Sequence, residues 1–218
     1  VVRISQQLVQ RAYDRFDETG GSAGIEKREK LKEIGEGDDS QYVTDEVPPQ
    51  LVEMIAAFDE YVARVPLDVE PDIENPNHYR FAYLAGEIPF LYGQFAQAKA
   101  RLYPIYQQQC GKTEFGYLAW EKLFTMANKE ENIEESRKLA EATKKPGGSC
   151  AISEADKLAE NNMATDAIKR GYYTEAAAAY QAAEAMAEGP EKNKAWLKAA
   201  QLYEAALKEA PDRKEAPE

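Results

Sequence analysis

Three stretches decide how this chain is read: Gly93-Gln94-Phe95-Ala96-Gln97-Ala98, Glu131-Asn132-Ile133-Glu134-Glu135-Ser136 and Gly171-Tyr172-Tyr173-Thr174-Glu175-Ala176. Laid on one another, each has an aromatic or aliphatic residue third and a small residue sixth. The third position steps from Phe95 to Ile133 to Tyr173, and the sixth from Ala98 to Ser136 to Ala176, both at intervals of 38 and 40 residues. Four residues further on lie Leu102, Ala140 and Tyr180. Small residues let two helices approach closely, and the aromatic fills the gap left by the neighbouring unit. Self-similarity at this spacing therefore reads as a series of helix pairs that bury a shared core by stacking.

Outward from these turns, apolar periodicity predicts helices over 79–92, 94–109, 113–128, 133–143, 153–170 and 174–187. A final helix over 191–209 carries the stripe Ala195, Trp196, Ala199, Leu202, Tyr203, Ala206 and Leu207, with Pro211 after it. Upstream, Pro48-Pro49 opens a helix over 50–65 whose Leu51, Met54, Ile55, Phe58, Tyr61 and Val62 make one buried face. Pro66 stops it, and an acidic loop follows to His78. The first helix is expected over 1–17, with Val1, Ile4, Leu8, Ala12 and Phe16 on its stripe. Between them, 18–46 is rich in Gly, Ser and charge and reads as a long polar loop, with a short helix over 25–34 as its one candidate element. No segment alternates as strands do. The fold class is all-α: an N-terminal helical region (1–78), three helix pairs (79–110, 113–143 and 153–187, together 79–189), and a capping helix with a polar tail (190–218). A chain that opens inside a periodic stripe without Met is expected to be a piece of something longer.

The turns resemble those of the tetratricopeptide family, whose second helix is marked by Gly, any residue, Tyr, two residues, Ala, then an aromatic and another small residue. Here Gly171, Tyr173, Ala176, Tyr180 and Ala183 match best. The first unit supplies Gly93, Phe95 and Ala98, with Gly86 at the glycine of the family's first helix. The second keeps Trp120 at the family's Trp but has Glu131 in place of Gly. The period also departs from the family's 34 residues, and the resemblance covers residues 79–211 only. It implies a right-handed α-solenoid of antiparallel helix pairs with an N-terminal helical extension, whose work is to hold other proteins. In this family the first helices line a concave groove for a peptide or a partner's helix. That maps the groove onto Arg80, Tyr83, Glu87 and Phe90, then Glu121, Thr125, Asn128 and Lys129, then Asn161, Thr165 and Lys169. Several family members grip a C-terminal carboxylate with Asn and Lys. Asn128, Lys129, Asn161 and Lys169 are of those types without reproducing that clamp position for position. Tyr83 and Phe90 are either anchors for the partner or core, and an ordinary helical bundle is the plainer alternative fold.

Composition narrows the function. With 27 Lys and Arg against 39 Asp and Glu, the net charge of −12 argues against a sequence-independent grip on nucleic acid or docking on anionic lipid. No apolar run approaches the ~20 residues of a membrane span. His78, the single histidine, cannot supply a two-His metal motif, and two cysteines fall short of a structural zinc site. The acidic stretches at Asp38-Asp39 and at Asp68, Glu70, Asp72 and Glu74 lack the spaced calcium loop. Neither Gly20-Gly21 nor Gly147-Gly148 has the Lys-Ser/Thr partner of a phosphate cradle. No catalytic residues, cofactor or metal are expected.

Cys110 and Cys150 lie 40 residues apart, one repeat interval, each after the end of a second helix. Equivalent points on successive units are neighbours, so a disulfide is expected, the alternative being two unrelated thiols. A bridge implies an oxidising compartment, periplasmic or otherwise extracytoplasmic. With the resemblance, that points to a binding scaffold in a bacterial cell-envelope assembly serving secretion, outer-membrane assembly or motility. The competing function is a structural segment of a longer repeat protein that self-associates.

Overall fold

The computed structural model describes residues 2–18, 28, 30–35, 41–65, 68–70, 73–74 and 76–209. Among these, eight helices carry almost all regular structure: α1 (Val2–Phe16), α2 (Pro49–Arg64), α3 (Pro76–Leu91), α4 (Phe95–Gln109), α5 (Glu114–Lys129), α6 (Ile133–Lys144), α7 (Glu154–Glu184) and α8 (Pro190–Glu209). Two antiparallel hairpins complete it: β1 (Glu33–Ile34) with β2 (Gln41–Tyr42), and β3 (Asp68–Glu70) with β4 (Ile73–Glu74). The chain is all-α in class. Each helix packs on the next in sequence, and α3 also reaches α5.

α2 begins with Pro49 in its first turn, where a missing N–H costs nothing. Of the predicted face it buries Leu51, Met54, Ile55, Phe58 and Tyr61, while Val62 is half-buried. Phe58 and Tyr61 close around Phe81 of α3, one ring stacked at 5.0 Å and the other edge-on at 4.7 Å. α1 differs from its expected stripe. Among its described side chains Val9 is the buried one, supported by Ala12, while Ile4 is 62% exposed. α1 packs on α2; Val1 and the side chains of Tyr13 and Phe16 lie outside the described residues.

The two turns aligned from sequence are the same turn. Gly93 (φ 69°) and Glu131 (φ 55°) both sit in the left-handed region, and Glu131 is the one non-glycine residue there among those described. Gln94 N–H donates to Pro89 O at 2.9 Å and Asn132 N–H to Ala127 O at 2.8 Å, the same backbone closure of a helix end. Ala98 and Ser136 are both buried at the close approach that follows. Gly86 has a similar use: a Cβ there would stand 2.7 Å from Leu102 Cδ2, so its absence lets α3 meet α4. Trp120 is fully buried in the central core and donates its indole N–H to Leu139 O at 3.3 Å.

The third expected turn is absent. Helices over 153–170 and 174–187 were predicted, and the pair 153–187 is one unbroken helix, α7, of 31 residues. Thr174 does not cap a new helix; its hydroxyl donates to Arg170 O at 3.0 Å, back along the same helix. Gly171 is buried where a Cβ would stand 2.8 Å from Arg137 Cδ of α6, so its glycine serves helix contact and not a turn. The alanine-rich run after it favours continued helix. α6 packs on the first part of α7, and α8 returns along the second, with Tyr173 beside Ala206 and Tyr180 edge-on to Trp196 at 4.7 Å.

The described part of 18–46 is not helical over 28–34, against the short helix considered for 25–34. Residues 28, 30–35 and 41–48 form an arm that crosses the α3–α4 turn. Leu31 is buried in the central core, Tyr42 stacks on Phe95 at 4.3 Å, and Asp45 N–H donates to Tyr92 O at 3.0 Å. A Cβ on Gly93 would stand 2.5 Å from Val43 O, so glycine there serves both the turn and the arm. Gly20-Gly21, Asp38-Asp39, Pro66, Pro71, Asp72 and Pro211 lie outside the described residues.

Candidate functional site

The groove residues expected from sequence do not share one surface. Thr125, Glu121, Asn128 and Lys129 come together along one face of α5, at the three- and four-residue spacing that places helix side chains side by side. Tyr83 and Phe90 are core: both are 4% exposed, Tyr83 beside Phe115 of α5 (6.0 Å between rings) and Phe90 stacked on Phe95 (5.9 Å). The Tyr83 hydroxyl donates to Glu87 at 2.7 Å, and burial, then the Glu87 charge, pushes its pKa well above the usual tyrosine value. Asn161 and Thr165 face away, toward α6, where Lys144 reaches both. Arg80 is exposed at the start of α3, and Lys169 is half-buried and lines neither cleft described next.

Two clefts meet at Thr125. The first, of about 830 Å³, lies between the arm and the α3/α5 face, with Arg28, Leu31 and Lys32 on one wall and Phe90, Leu91 and Glu121 opposite. The second, of about 550 Å³, runs on between α5 and α7, where Asn128 and Lys129 face Met163, Asp166 and Arg170. Arg170 donates to Asn128 Oδ1, while its Nε is buried without a hydrogen-bond partner. Lys129 spans the junction, its ammonium 3.0 Å from Glu33 of β1.

Arg170 and the arm residues were not among the expected site residues. Arg170 was legible in principle, since Met163, Ala167 and Arg170 share a face within the helix expected over 153–170. The arm carried no comparable signal. It is held electrostatically as well as by Leu31: Arg28 pairs with Asp45 and lies 4.2 Å from the centre of the Tyr92 ring, and Lys32 is 3.9 Å from Asp45. The hydrogen bond from Arg28 holds the Asp45 carboxyl below its usual pKa.

Cys110 and Cys150 form a disulfide, with Cα atoms 4.2 Å apart. It ties the α4–α5 turn to the α6–α7 loop. Gly111, at φ 69°, donates its N–H to Cys150 O at 3.3 Å, so a left-handed residue after Cys110 brings the two backbones together. Beneath Cys150, the buried carboxylate of Glu160 accepts from Cys150 N–H at 2.7 Å and from the Ser149 hydroxyl. Burial first, and the Glu160 charge second, push the neighbouring Tyr106 pKa upward. Glu160 was not anticipated, because a glutamate inside a helix ordinarily faces water.

His78 lies at the start of α3, edge-on to Tyr79 at 5.2 Å. Among the described residues no group of three or more His, Cys, Asp or Glu is placed to hold a metal ion, and no helix is long and apolar enough to cross a membrane. The side chains of Asp68, Glu70 and Glu74 lie outside the described set. Compared with known proteins, the chain matches no family model, no curated protein and no solved structure.

Proposed function

We propose that this chain is a protein-binding scaffold, a tetratricopeptide-like α-solenoid whose groove is the pair of clefts meeting at Thr125. The observation that carries this reading is the junction itself: four of the groove residues expected on α5 (Glu121, Thr125, Asn128 and Lys129) line clefts that join there. The common left-handed turn at Gly93 and Glu131 supports a repeated helix-pair design. The unbroken α7 makes the third unit divergent, and we read α7 and α8 as the cap that ends the stack. The Cys110–Cys150 bridge favours work outside the cytoplasm, and a bacterial cell-envelope assembly is the setting that fits scaffold and disulfide together. No catalytic role is assigned.

A photo-reactive residue at Thr125 tests this in the native organism. It is expected to cross-link one defined protein, while the same group at exposed Lys198 of α8 does not. Equal capture at both positions, or none at Thr125, refutes the groove. The alternative, a self-associating structural segment, draws on the exposed Leu197 (61%) and Leu207 (39%) of α8. Cross-linking of the chain to its own copies through Lys198 favours that alternative.

A further inference from the structure

The cleft beneath the arm differs in charge from the rest of the chain. Overall, acidic residues outnumber basic ones 39 to 27. Among the described residues that line this cleft the balance reverses: Arg28, Lys30 and Lys32 from the arm and Lys122 from α5 stand with two acids, Glu33 and Glu121. Glu33 is answered by Lys129 at 3.0 Å, while Glu121 and Lys122, neighbours on α5, are only loosely paired at 3.6 Å. Arg28 is engaged by Asp45, and Lys32 is only loosely so, at 3.9 Å. Lys30 is exposed and makes no ion pair among the described residues. Lys122 also stands 5.3 Å above the Phe90 ring, so a cation marks the edge of the apolar floor.

We propose that this cleft takes an extended, acidic segment of a partner protein, in which carboxylates alternate with apolar side chains. This rests on the groove reading above and adds the partner's chemistry. The carboxylates meet Lys30, Lys32 and Lys122, and the apolar side chains lie on Leu91 and the edge of Phe90. An extended strand turns alternate residues to opposite sides, which suits a cleft with a cationic wall and an apolar floor. Glu33 and Glu121 stand among the cations, which suits separated charges better than a continuous polyanion such as single-stranded nucleic acid.

The test uses three labelled hexapeptides on the full, disulfide-bonded chain: alternating Glu-Leu, Ser-Leu and Lys-Leu. Glu-Leu is expected to bind about tenfold more tightly than Ser-Leu, and Lys-Leu more weakly still. That preference should shrink from ~0.01 M to ~0.15 M salt, as the screening length falls from ~30 Å to ~8 Å. Lys30→Glu with Lys122→Glu should reverse the order so that Lys-Leu binds best, a gain that misfolding cannot produce. Equal binding of Glu-Leu and Ser-Leu overturns the proposal, as does an unchanged order in the variant or tighter binding of an oligouridylate. If the peptides show no acidic preference while Thr125 still cross-links a partner, the groove reading stands and this inference falls. If neither occurs, both fall.

Discussion

Replacing Cys110 and Cys150 together by alanine isolates the contribution of the bridge. The disulfide closes a loop spanning 40 residues. Restricting a loop of that length in the unfolded chain is worth about 4 kcal/mol on chain-entropy grounds. Cys150 is completely buried, so losing its sulfur also leaves a small void, worth about 1 kcal/mol. Two native contacts survive the substitution and keep the loops near their places: Gly111 N–H to Cys150 O, and Cys150 N–H to Glu160. We therefore expect the double variant to fold with unchanged helix content and to lose about 3–5 kcal/mol. For a chain of this size that is roughly a 10 °C fall in Tm. Equilibrium urea unfolding followed by far-ultraviolet circular dichroism measures it. The wild-type chain with reductant should approach the variant, and either single variant should match the double, because one thiol cannot bridge. The variant should also show the larger dependence on urea, since its unfolded chain exposes more surface. A loss below about 1 kcal/mol, or no response of the wild type to reductant, refutes the assignment of this bridge as the staple between the two loops.

Gly171→Ala should be neutral or stabilise by up to about 1 kcal/mol, because α7 runs straight through and only the flexible Arg137 stem must shift; a loss above about 1 kcal/mol in thermal unfolding would restore the turn. Gly116→Ala should instead cost about 3 kcal/mol, since its Cβ would stand 2.0 Å from Gln109 O, a backbone atom that cannot swing aside; a neutral result in urea refutes the close approach of α4 and α5. At Glu135, burial alone would raise the carboxyl pKa, but hydrogen bonds from Lys99 (2.6 Å) and Tyr103 (2.6 Å) outweigh it and hold the pKa below the ordinary value. A depressed carboxyl stabilises the fold above the unfolded pKa and loses that contribution as pH falls through the folded one. Glu135→Gln should therefore be less stable than wild type by about 1 kcal/mol near neutral pH, with the gap closing below about pH 4. A gap independent of pH removes the ionic network as its cause.

The parts legible in the sequence were those fixed by near neighbours or by the repeat interval. The α2 face follows from spacing alone, and Pro49 marks its start. The α5–α6 turn was found even with Glu131 in the glycine position, because the residues after it kept their order. Cys110 and Cys150 were paired by their interval. Gly171 misled because glycine serves two purposes that look alike in sequence, a left-handed turn at Gly93 and a close helix contact at Gly171. Only the presence of Arg137 on α6 separates them. The arm was illegible for a different reason. Its two-residue strands carry no periodicity, and its anchors, Leu31 in the core and Tyr42 on Phe95, depend on residues far along the chain. Phe90 could not be assigned to core or groove until the arm was placed across it.

The continuity of α7 has a mechanical consequence. At ~1.5 Å rise per residue its 31 residues form a rod ~46 Å long. One end is clamped through Glu160 to the disulfide-bonded loop, and the other carries α8. Between them α6 grips the rod, through Lys144 at Asn161 and Thr165 and through Arg137 at Gly171 and Glu175. Arg170 lies along the rod, on the wall of the second cleft. Whatever seats itself against Arg170 and Asn128 therefore bears on one continuous rod that joins the bridged loop to the C-terminal hairpin.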